Sequence, residues 1–502
     1  MFLILLVIIL ALAYYLLYRN LDYWKKRGIP GPRPYPIVGN LGDIITGKRG
    51  AEEIYTDIYR KYEGYPFVGV FKSIIPVLLV RDPDLIKCIT LKDFPSFQNN
   101  DIFADKSIDP IFARNPFALR GNEWKTKRAQ LTNCFSSGKI KAMYPVVDKN
   151  SQNMVRYINN EMKTSNCFDA REIFVRLMLD NVAACALGIE GKCFDEPYSE
   201  IRRMADNFFF TEGWSSLRFI LCFNLPPLAN FFKVKVITQE VEDTLMSIVR
   251  STLKYRRENN IVAHDFLQSA SQLDSSQSIF NDVDITAHVA SFFTDGYETS
   301  SRTTALLIFE LALNKDVQQK LRAEIVEAYE QNGRQFDYES IMKLEYLDAC
   351  VHENLRKHSV VPLMPKICTE QFTYTPTNPE YKNISVTIEP GTSIVIPSTA
   401  IHHDPKYFEE PEKFKPERFI NKDVNKYAYL GFGLGPRMCI GRIRLGSRFA
   451  IAQMKVGLAY FLKNYEFTVS PKTETPLKYD PWFFLLSVKS GLWIELRKIE
   501  DN

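Results

Sequence analysis

Most of the chain shows the spacing of apolar positions that predicts helices. Apolar residues recur every three to four positions over long segments. Only two segments show instead the alternating, β-branched pattern of a strand. We predict a hairpin at Val68–Val80 and further β structure at Val386–Ile396. The helical segments are roughly 140–162, 170–187, 236–260, 284–313, 315–330, 340–357 and 442–464. Since no repeat or linker interrupts the pattern from about residue 50, we expect a single mainly α domain with small β-sheets.

The chain begins with an uncharged apolar run, Met1–Tyr18. As a helix with a rise of 1.5 Å per residue this run would span about 27 Å, just enough for a bilayer core. Arg19 ends it and the basic Lys25–Arg27 follows, which predicts that the rest of the chain lies in the cytosol. The alternative is a cleaved signal peptide, because Ala11–Ala13 resembles a cleavage site, but no basic segment precedes the run. We therefore expect residues 1–18 to form a membrane anchor.

Residues 19–49 are basic and proline-rich, and they include the sequence Pro30-Gly31-Pro32-Arg33-Pro34-Tyr35-Pro36. Fixed φ angles and missing donors make such a stretch semi-rigid and non-helical. We interpret it as a hinge between the anchor and a cytosolic domain at 50–502, although an ordinary proline-rich loop fits the composition equally well.

Composition excludes several function classes. The 502 residues are 46% hydrophobic and 24% charged, as in ordinary globular proteins. A net charge of +4 is too near balance for a nucleic-acid binder, so we expect no nucleic-acid partner. The 9 cysteines include no C-x-x-C pair, which argues against a disulfide scaffold and favours a reducing compartment. None of the 6 histidines forms H-E-x-x-H, which argues against a zinc hydrolase.

One segment, Phe432–Gly441, has the pattern of a ligand-binding loop: F-G-L-G-P-R-M-C-I-G. Its glycines allow the backbone to approach a flat ligand closely. Backbone N–H groups and a following helix N-terminus would stabilise a thiolate at Cys439. Arg437 adds positive charge suited to a carboxylate. A lone cysteine is usually a small buried hydrophobe, but this context favours a functional thiol.

In this segment the chain resembles the cytochrome P450 (haem-thiolate monooxygenase) family. All five fixed positions of that family's F-x-x-G-x-R-x-C-x-G signature are present, as Phe432, Gly435, Arg437, Cys439 and Gly441. Further matches follow the family's order, namely Gly296–Ser300, Glu353-x-x-Arg356 and Pro416–Phe419. The resemblance covers essentially the whole chain and looks most like insect microsomal members that handle plant toxins and insecticides.

The resemblance implies the cytochrome P450 fold, with a single catalytic domain, an N-terminal transmembrane anchor and haem b as the cofactor. Cys439 would be the axial ligand of the haem iron. The remaining haem-binding positions would be Phe432, Gly435, Gly441 and the propionate-holding Trp124, Arg128 and Arg437. Glu353, Arg356 and Arg418 would form a buried triad that supports the haem loop. From local spacing alone, Glu353 and Arg356 could instead be a solvated surface pair. Trp124 and Arg128 could likewise lie on an ordinary amphipathic helix.

Three residues of the predicted helix at 284–313 would take part in catalysis. Gly296 interrupts an apolar run and could open the helical ladder for a small ligand. The family uses an acid–alcohol pair, here Glu298 and Thr299, to deliver protons to dioxygen. The local alternatives are a solvated face residue for Glu298 and a back-bonded hydroxyl for Thr299. Because relatives that only isomerise peroxides usually lose this pair, we expect oxygen activation.

Two residues depart from the family pattern. Lys366 stands where relatives often have a propionate-binding arginine, and it can supply charge but not the bidentate fork. Asp295 stands where alanine or glycine is usual, one helical turn before Thr299. Its carboxylate could bond a neighbour such as Arg302 or a backbone N–H, pair with a cationic amine substrate, or alter proton delivery beside Glu298.

The resemblance also implies partners and a location. Because no nucleotide-binding loop is complete, electrons would come from NADPH through NADPH-cytochrome P450 reductase, with cytochrome b5 as a possible second donor. A basic patch would guide the reductase, comprising Lys125, Lys127, Lys139, Lys141, Arg442, Arg444 and Arg448. The enzyme would be a single-pass protein of the endoplasmic reticulum membrane with its catalytic domain in the cytosol. Alternatives are oxidation of endogenous lipids or hormones, or a non-catalytic haem carrier or sensor.

The substrate would be a lipophilic small molecule, since an aromatic lining suits apolar ligands. The family places substrate contacts at about 97–118, 205–232, around 288–299, 359–366 and 482–486. Their candidate lining residues are Phe103, Phe112, Phe117, Phe208, Phe209, Phe210, Phe292, Phe483 and Phe484. The apolar Phe219–Phe232 would dip into the membrane.

Overall fold

A computed structural model describes Tyr15, Tyr18 and residues 20–208, 214–224, 226–272, 282–421, 424–440 and 448–500. Apart from those two tyrosines, the predicted anchor at 1–18 lies outside the described residues, as do Gly441, Arg442 and Arg444. Within the described ranges, no helix is long and apolar enough to cross a membrane.

Helices make up most of the described chain. The eleven helices of nine or more residues among the described ranges are α1 Ala51–Lys61, α2 Gly121–Thr132, α3 Ser137–Glu161, α4 Ala170–Val182, α5 Glu200–Phe208, α6 Trp214–Asn224, α7 Gln239–Glu258, α8 Asp282–Leu313, α9 Lys315–Gln331, α10 Glu345–Lys357 and α11 Arg448–Asn464. The shorter ones are Tyr23–Lys26, Gly42–Ile45, Pro83–Lys87, Pro226–Phe231, Phe266–Ser271, Tyr338–Met342, Ser398–His402 and Glu417–Ile420.

The strands form three small sheets in the described chain. They are β1 Phe67–Lys72, β2 Ile75–Val80, β3 Cys167–Asp169, β4 Leu363–Ile367, β5 Phe372–Tyr374, β6 Val386–Ile388, β7 Ser393–Pro397, β8 Tyr465–Val469 and β9 Trp493–Lys498. The largest sheet has the order β1-β2-β7-β4, in which only β2 and β7 are parallel. The others are the antiparallel β3-β9-β8 and the pair β5-β6. A mainly helical single domain with small sheets is therefore confirmed.

Helix α8 is the central element of the largest of three hydrophobic cores in the described chain. Nearly every residue from Ile285 to Ala312 is buried, polar residues included, so the helix is covered on all sides and lies inside the protein. Its 32 residues make it about 48 Å long at 1.5 Å per residue. The second core packs around the four-stranded sheet. The candidate site lies where these two cores meet.

The predicted hinge is docked onto the body. Trp24 is 3% exposed and donates from Nε1 to the Val70 carbonyl at 3.0 Å. Pro30 accepts from the Gly69 N–H at 2.8 Å. A Cβ at Gly69 would lie 2.3 Å from Trp24 Cγ, so only glycine allows this contact. The start of the 19–49 segment is therefore part of the folded domain rather than a free spacer.

The predicted helix 340–357 is divided in the structure. A short helix ends at Met342, and α10 begins at Glu345. The side-chain carboxylate of Glu324 accepts the N–H groups of Tyr346 and Leu347, at 2.7 and 2.9 Å, and so caps the new helix. Local periodicity could not predict this division, because the capping carboxylate comes from another helix.

Candidate functional site

A cavity of about 1200 Å³ lies between α8, β4, the loop at 430–439 and the segment 477–489. Pockets for one drug-sized ligand usually have volumes of about 300–1000 Å³. This cavity therefore has room for a flat cofactor together with a small substrate. Among the predicted site residues other than the candidate aromatic lining, those that line it are Asp295, Thr299, Lys366, Phe432, Arg437 and Cys439.

The loop that carries Cys439 is folded by its own backbone. The Cys439 N–H donates to the Phe432 carbonyl at 2.9 Å, and the Met438 N–H donates to the Gly435 carbonyl at 2.9 Å. Gly435 has a φ of +73°, and a Cβ there would lie 1.7 Å from the Thr90 carbonyl oxygen. The loop therefore presses against the turn at Thr90 and holds the exposed Cys439 thiol at the cavity wall.

Arg437 and Trp124 lie together beside this loop. The Arg437 guanidinium lies 4.0 Å from the centre of the Trp124 ring. Its Nε, Nη1 and Nη2 donate to the carbonyls of Gln98, Pro116 and Leu119 at 2.8, 2.9 and 2.7 Å. Burial first, and then the neighbouring arginines, lower the pKa of Arg437 to about 9. These bonds fix the guanidinium in place and use three of its five N–H groups.

Arg128 and Lys366 join Arg437 in what we call the cationic cluster. Arg128 donates from Nη2 to the Met438 carbonyl at 2.5 Å, while its buried Nε has no hydrogen-bond partner. Lys366 is 6% exposed and donates to the neutral Asn100 side chain at 2.8 Å. Burial and the charge of Arg437 lower the pKa of Lys366 to about 7.

The cationic cluster fits an anionic ligand. Within the described ranges no carboxylate forms an ion pair with Arg128, Lys366 or Arg437. Buried charges without counter-ions are costly, so this arrangement is stabilised when a ligand supplies carboxylates. A flat apolar ring with two propionates, next to a thiol, meets that need. The residues present therefore fit haem.

Helix α8 presents Asp295 and Thr299 to the cavity. They lie one turn apart on a helix that is otherwise buried from Ile285 to Ala312. The Thr299 hydroxyl donates to the Asp295 backbone carbonyl at 2.6 Å. The Thr299 hydroxyl is therefore bonded back to its own helix, as in the local alternative, although the residue lines the cavity.

Glu298 forms ion pairs with arginines and does not face the cavity. It is 4% exposed, and its Oε1 accepts from Arg302 Nε at 2.6 Å and lies 3.8 Å from Arg171 Nη2. It does not line the cavity. The suggested pairing of Asp295 with Arg302 is wrong, because Glu298 holds Arg302. The structure brings Thr299, but not the acid beside it, to the site.

Gly296 lies on the side of α8 that packs against α4. A Cβ there would lie 3.0 Å from Val182 Cγ1, and the Gly296 carbonyl accepts from Gln453 Nε2 at 2.8 Å. Helix α8 is continuous from Asp282 to Leu313, so no opening of the helical ladder accompanies this glycine. Its small size instead allows close helix packing.

Glu353, Arg356 and Arg418 form a connected buried cluster. Glu353 accepts from Arg356 at 2.8 and 2.9 Å and from Arg418 Nε at 3.3 Å, and both Glu353 and Arg356 are fully buried. Arg356 also donates to the His402 carbonyl at 2.9 Å, and His402 Nε2 accepts the Leu430 N–H at 2.8 Å. Hydrogen bonds therefore connect this cluster to the start of the Cys439 loop.

Aromatic residues cover part of the cavity wall. Of the predicted phenylalanines, Phe117, Phe483 and Phe484 line it. Phe292 packs in the core against Phe266, with ring centres 4.9 Å apart. The others among the described residues, Phe103, Phe112 and Phe208, are not part of the lining, and Phe209 and Phe210 lie outside the described residues.

Several lining residues lie inside the predicted contact segments but were not named individually. Phe219 and Phe223, within 205–232, line the cavity, and their i, i+4 spacing on α6 was the available signal. Asn100 also lines it, but nothing in its local sequence indicates contact with Lys366, which is distant along the chain.

The chain matches known proteins along nearly its whole length. The sequence profile described as cytochrome P450 matches residues 29–494. Probable cytochrome P450 6a23 of Drosophila melanogaster is 34% identical over 99% of this chain and 98% of the relative. Cytochrome P450 6j1 of Blattella germanica is 34% identical over 97% of this chain and 96% of the relative. Probable cytochrome P450 28d1 of Drosophila melanogaster is 34% identical over 98% and 97%. These matches include the cavity, α8 and the Cys439 loop.

Proposed function

The chain belongs to the cytochrome P450 family, and from that premise we propose that it is a membrane-anchored enzyme that oxidises lipophilic xenobiotics such as plant toxins or insecticides. Family membership makes it a haem monooxygenase and confirms the resemblance carried by Phe432–Gly441. In this proposal haem b is the cofactor and one oxygen atom from O2 enters the substrate. Electrons come from NADPH-cytochrome P450 reductase, with cytochrome b5 as a second donor. The proposal also adds the endoplasmic reticulum membrane as location.

The observation that carries the proposal is an exposed thiol that lines one cavity together with Lys366 and Arg437 of the cationic cluster. Cys439 and Arg437 both line the cavity, and Arg128 bonds the carbonyl of Met438, next to the thiol. Cys439 would hold the iron as a thiolate, while Arg128, Lys366 and Arg437 would hold the propionates. When bound, haem supplies the reductive activation of O2, which a thiolate ligand favours by donating electron density.

Thr299 would position a proton donor. Because its hydroxyl hydrogen is used by the Asp295 carbonyl at 2.6 Å, its oxygen lone pairs remain available to accept a hydrogen bond. A water molecule in the cavity can donate to them and so be held beside α8. Aromatic and aliphatic walls, including Phe117 and Phe483, would exclude bulk water from the reacting atoms.

The surface near residues 226–232 supports membrane contact. Phe231 is 79% exposed, Phe232 62% and Leu228 42%, so three large apolar side chains lack cover in the described chain. A continuous apolar patch of this kind is typical of an interaction with a membrane or another apolar partner. Together with the apolar run at 1–18, it favours substrate entry from the lipid phase.

Part of the basic patch is available to an acidic reductase. Lys125 is exposed, while Lys141 already pairs with Glu339 at 2.6 Å and Lys127 lies 3.7 Å from Asp284. Arg442 and Arg444 lie outside the described residues. We expect the exposed members to increase the rate of association rather than the final affinity.

Reconstitution tests the function. Purified protein, the reductase, NADPH and isotopically labelled dioxygen are combined with a panel of plant alkaloids and insecticides, and products are analysed by mass spectrometry. The proposal expects one labelled oxygen atom per product, with no product when the reductase or NADPH is omitted. Haem binding without any NADPH-dependent product would instead favour a carrier or sensor. Turnover of only endogenous lipids or hormones would contradict the xenobiotic role.

A further inference from the structure

Asp295 is the residue of the cavity whose chemistry the proposed mechanism leaves unused. It interrupts the buried face of α8, and its accessible surface faces the cavity instead of bulk solvent. Thr299 lies one turn further along and lines the same cavity, so Asp295 faces the space where a substrate would bind.

The surroundings of Asp295 are polar but uncharged. Thr294 Oγ1 donates to Asp295 Oδ1 at 3.3 Å, and the side chain of Asn115 contributes a second hydrogen bond. Among the described residues, no lysine, arginine or histidine forms an ion pair with Asp295. The nearest cation on its helix, Arg302, is held by Glu298. The carboxylate therefore lies inside the protein, open to the cavity, without a counter-ion.

The energetic consequence is that Asp295 favours either a proton or a bound cation. Burial raises the pKa of Asp295 from 3.8 to about 7, while the hydrogen bonds from Thr294 and Asn115 oppose that rise. A cation held beside the carboxylate would replace the missing counter-ion and keep it ionised at neutral pH. A neutral ligand offers no such gain.

Aromatic walls in the same cavity can surround the rest of such a ligand. The Phe483 ring centre is 4.7 Å from the Arg302 guanidinium carbon, which places it beside the same stretch of α8. Phe484 contacts Phe483 and Phe223, with ring centres 5.1 and 5.5 Å apart. Such faces bind apolar groups and also attract ammonium cations.

We propose that Asp295 is a specificity-determining residue that pairs with the cationic nitrogen of lipophilic amine substrates, whose apolar body packs against the aromatic wall. This inference deepens the proposed function and rests on it. It narrows the lipophilic substrates to those that carry a basic or quaternary nitrogen.

Binding of a matched pair of ligands tests the inference. The probes are N,N,N-trimethyl-4-phenylbutylammonium and its neutral carbon isostere, in which a tert-butyl group replaces the trimethylammonium group. A quaternary nitrogen has no lone pair and cannot ligate iron, so binding reports on the pocket alone. Equilibrium dialysis against the haem-loaded protein gives the dissociation constant of each probe. We expect Asp295→Asn to weaken binding of the cation at least about tenfold and to change binding of the isostere less than about twofold.

Control variants distinguish the effect of the charge at Asp295 from the effect of a changed net charge of the protein. Asp57→Asn removes the same charge from the outer part of the cavity wall, where the Asp57 side chain is 60% exposed and pairs with Arg49. It should leave both dissociation constants unchanged. Asp295→Glu should retain preference for the cation. If Asp295→Asn does not fold, Asp295→Ala takes its place with the same expectation.

Each outcome decides the inference. Equal changes for both probes, or no change for the cation, would overturn the role of Asp295 while leaving the monooxygenase function intact. A wild-type protein that shows no haem-thiolate band in its reduced carbon monoxide adduct would overturn the proposed function and this inference with it.

Discussion

Thr299 contributes one oxygen atom to the site, with its hydrogen directed back to its own helix. Replacing it by alanine removes the acceptor that would hold a water molecule at α8. We predict that Thr299→Ala lowers the ratio of product formed to NADPH consumed several-fold and releases more peroxide. The measurement is the coupling ratio in the reconstituted system.

A second threonine on α8 provides the control for that prediction. Thr286 is fully buried and donates to the Asp282 carbonyl at 2.6 Å, so it makes the same back-bond but does not line the cavity. Thr286→Ala should leave the coupling ratio unchanged. Equal coupling in both variants and the wild type would show that Thr299 is only a helix residue.

His402 gives the molecule a specific sensitivity to acid. Its Nε2 accepts the Leu430 N–H at 2.8 Å, so the ring must be neutral with its proton on Nδ1, where Ser359 Oγ lies 2.7 Å away. Burial and the neighbouring Arg356 hold the pKa of His402 well below 6.5. The unfolded chain therefore binds a proton below about pH 6.5 that the folded chain does not, and the free energy of unfolding falls as pH falls.

We predict that His402→Gln removes this acid sensitivity. Glutamine can still accept from the Leu430 N–H and donate to Ser359. Below pH 6.5 the wild type should lose about 1.4 kcal/mol more unfolding free energy per pH unit than the variant. Urea unfolding at pH 6.5 and at lower pH measures the difference, and His288, whose pKa burial lowers to about 4, is common to both proteins. Identical acid slopes would contradict the neutral assignment.

At the scale of elements, the Cys439 loop is fixed where it touches the turn at Thr90. Both Gly433 and Gly435 have left-handed φ angles, +74° and +73°. A Cβ at Gly433 would have only ordinary contacts, the nearest at 3.6 Å, whereas at Gly435 it would lie 1.7 Å from the Thr90 carbonyl oxygen. A substitution at Gly433 therefore measures the cost of the left-handed backbone alone, whereas one at Gly435 adds a steric clash with Thr90.

We predict that Gly435→Ala abolishes stable haem binding, because the loop must move away from Thr90. Gly433→Ala should cost only about 1–2 kcal/mol of stability, the usual penalty for a left-handed residue, and should retain haem. The haem absorbance per protein after gel filtration is the measurement. Equal haem content in the two variants would show that contact with Thr90 does not position the loop.

The sequence predicted the elements whose hydrophobic periodicity or motif lies within one continuous segment. The helices around α8 and the Cys439 loop are of this kind, so their residues could be identified. The direction of Glu298 could not, because adjacent helical positions differ by about 100° and only packing against Arg171 and Arg302 decides which side faces the cavity. The contact of Lys366 with Asn100 likewise joins two distant segments.

At the scale of the whole molecule, the folded domain begins before residue 30. Trp24 and Pro30 are bonded to β1, whereas the apolar run 1–18 precedes them. We predict that deletion of residues 1–20 releases the protein from microsomes and preserves its carbon monoxide spectrum. Deletion of residues 1–30 should also destabilise the domain, because it removes Trp24 from its buried site.

Sedimentation of microsomes and thermal unfolding distinguish the outcomes of these deletions. If the protein lacking residues 1–20 remained fully membrane-bound, the exposed apolar surface at Leu228–Phe232 would account for attachment. If it failed to bind haem, the apolar run would be part of the catalytic domain.

The central claim is that Cys439 supplies a thiolate to haem in the large cavity. The most direct measurement is the spectrum of the reduced carbon monoxide adduct of the wild type, Cys439→Ser and the control Cys167→Ser, whose half-buried thiol lies on β3. We predict the haem-thiolate band in the wild type and in Cys167→Ser, and its loss in Cys439→Ser, because serine is a far less acidic ligand. A Cys439→Ser protein that kept this band would contradict the account.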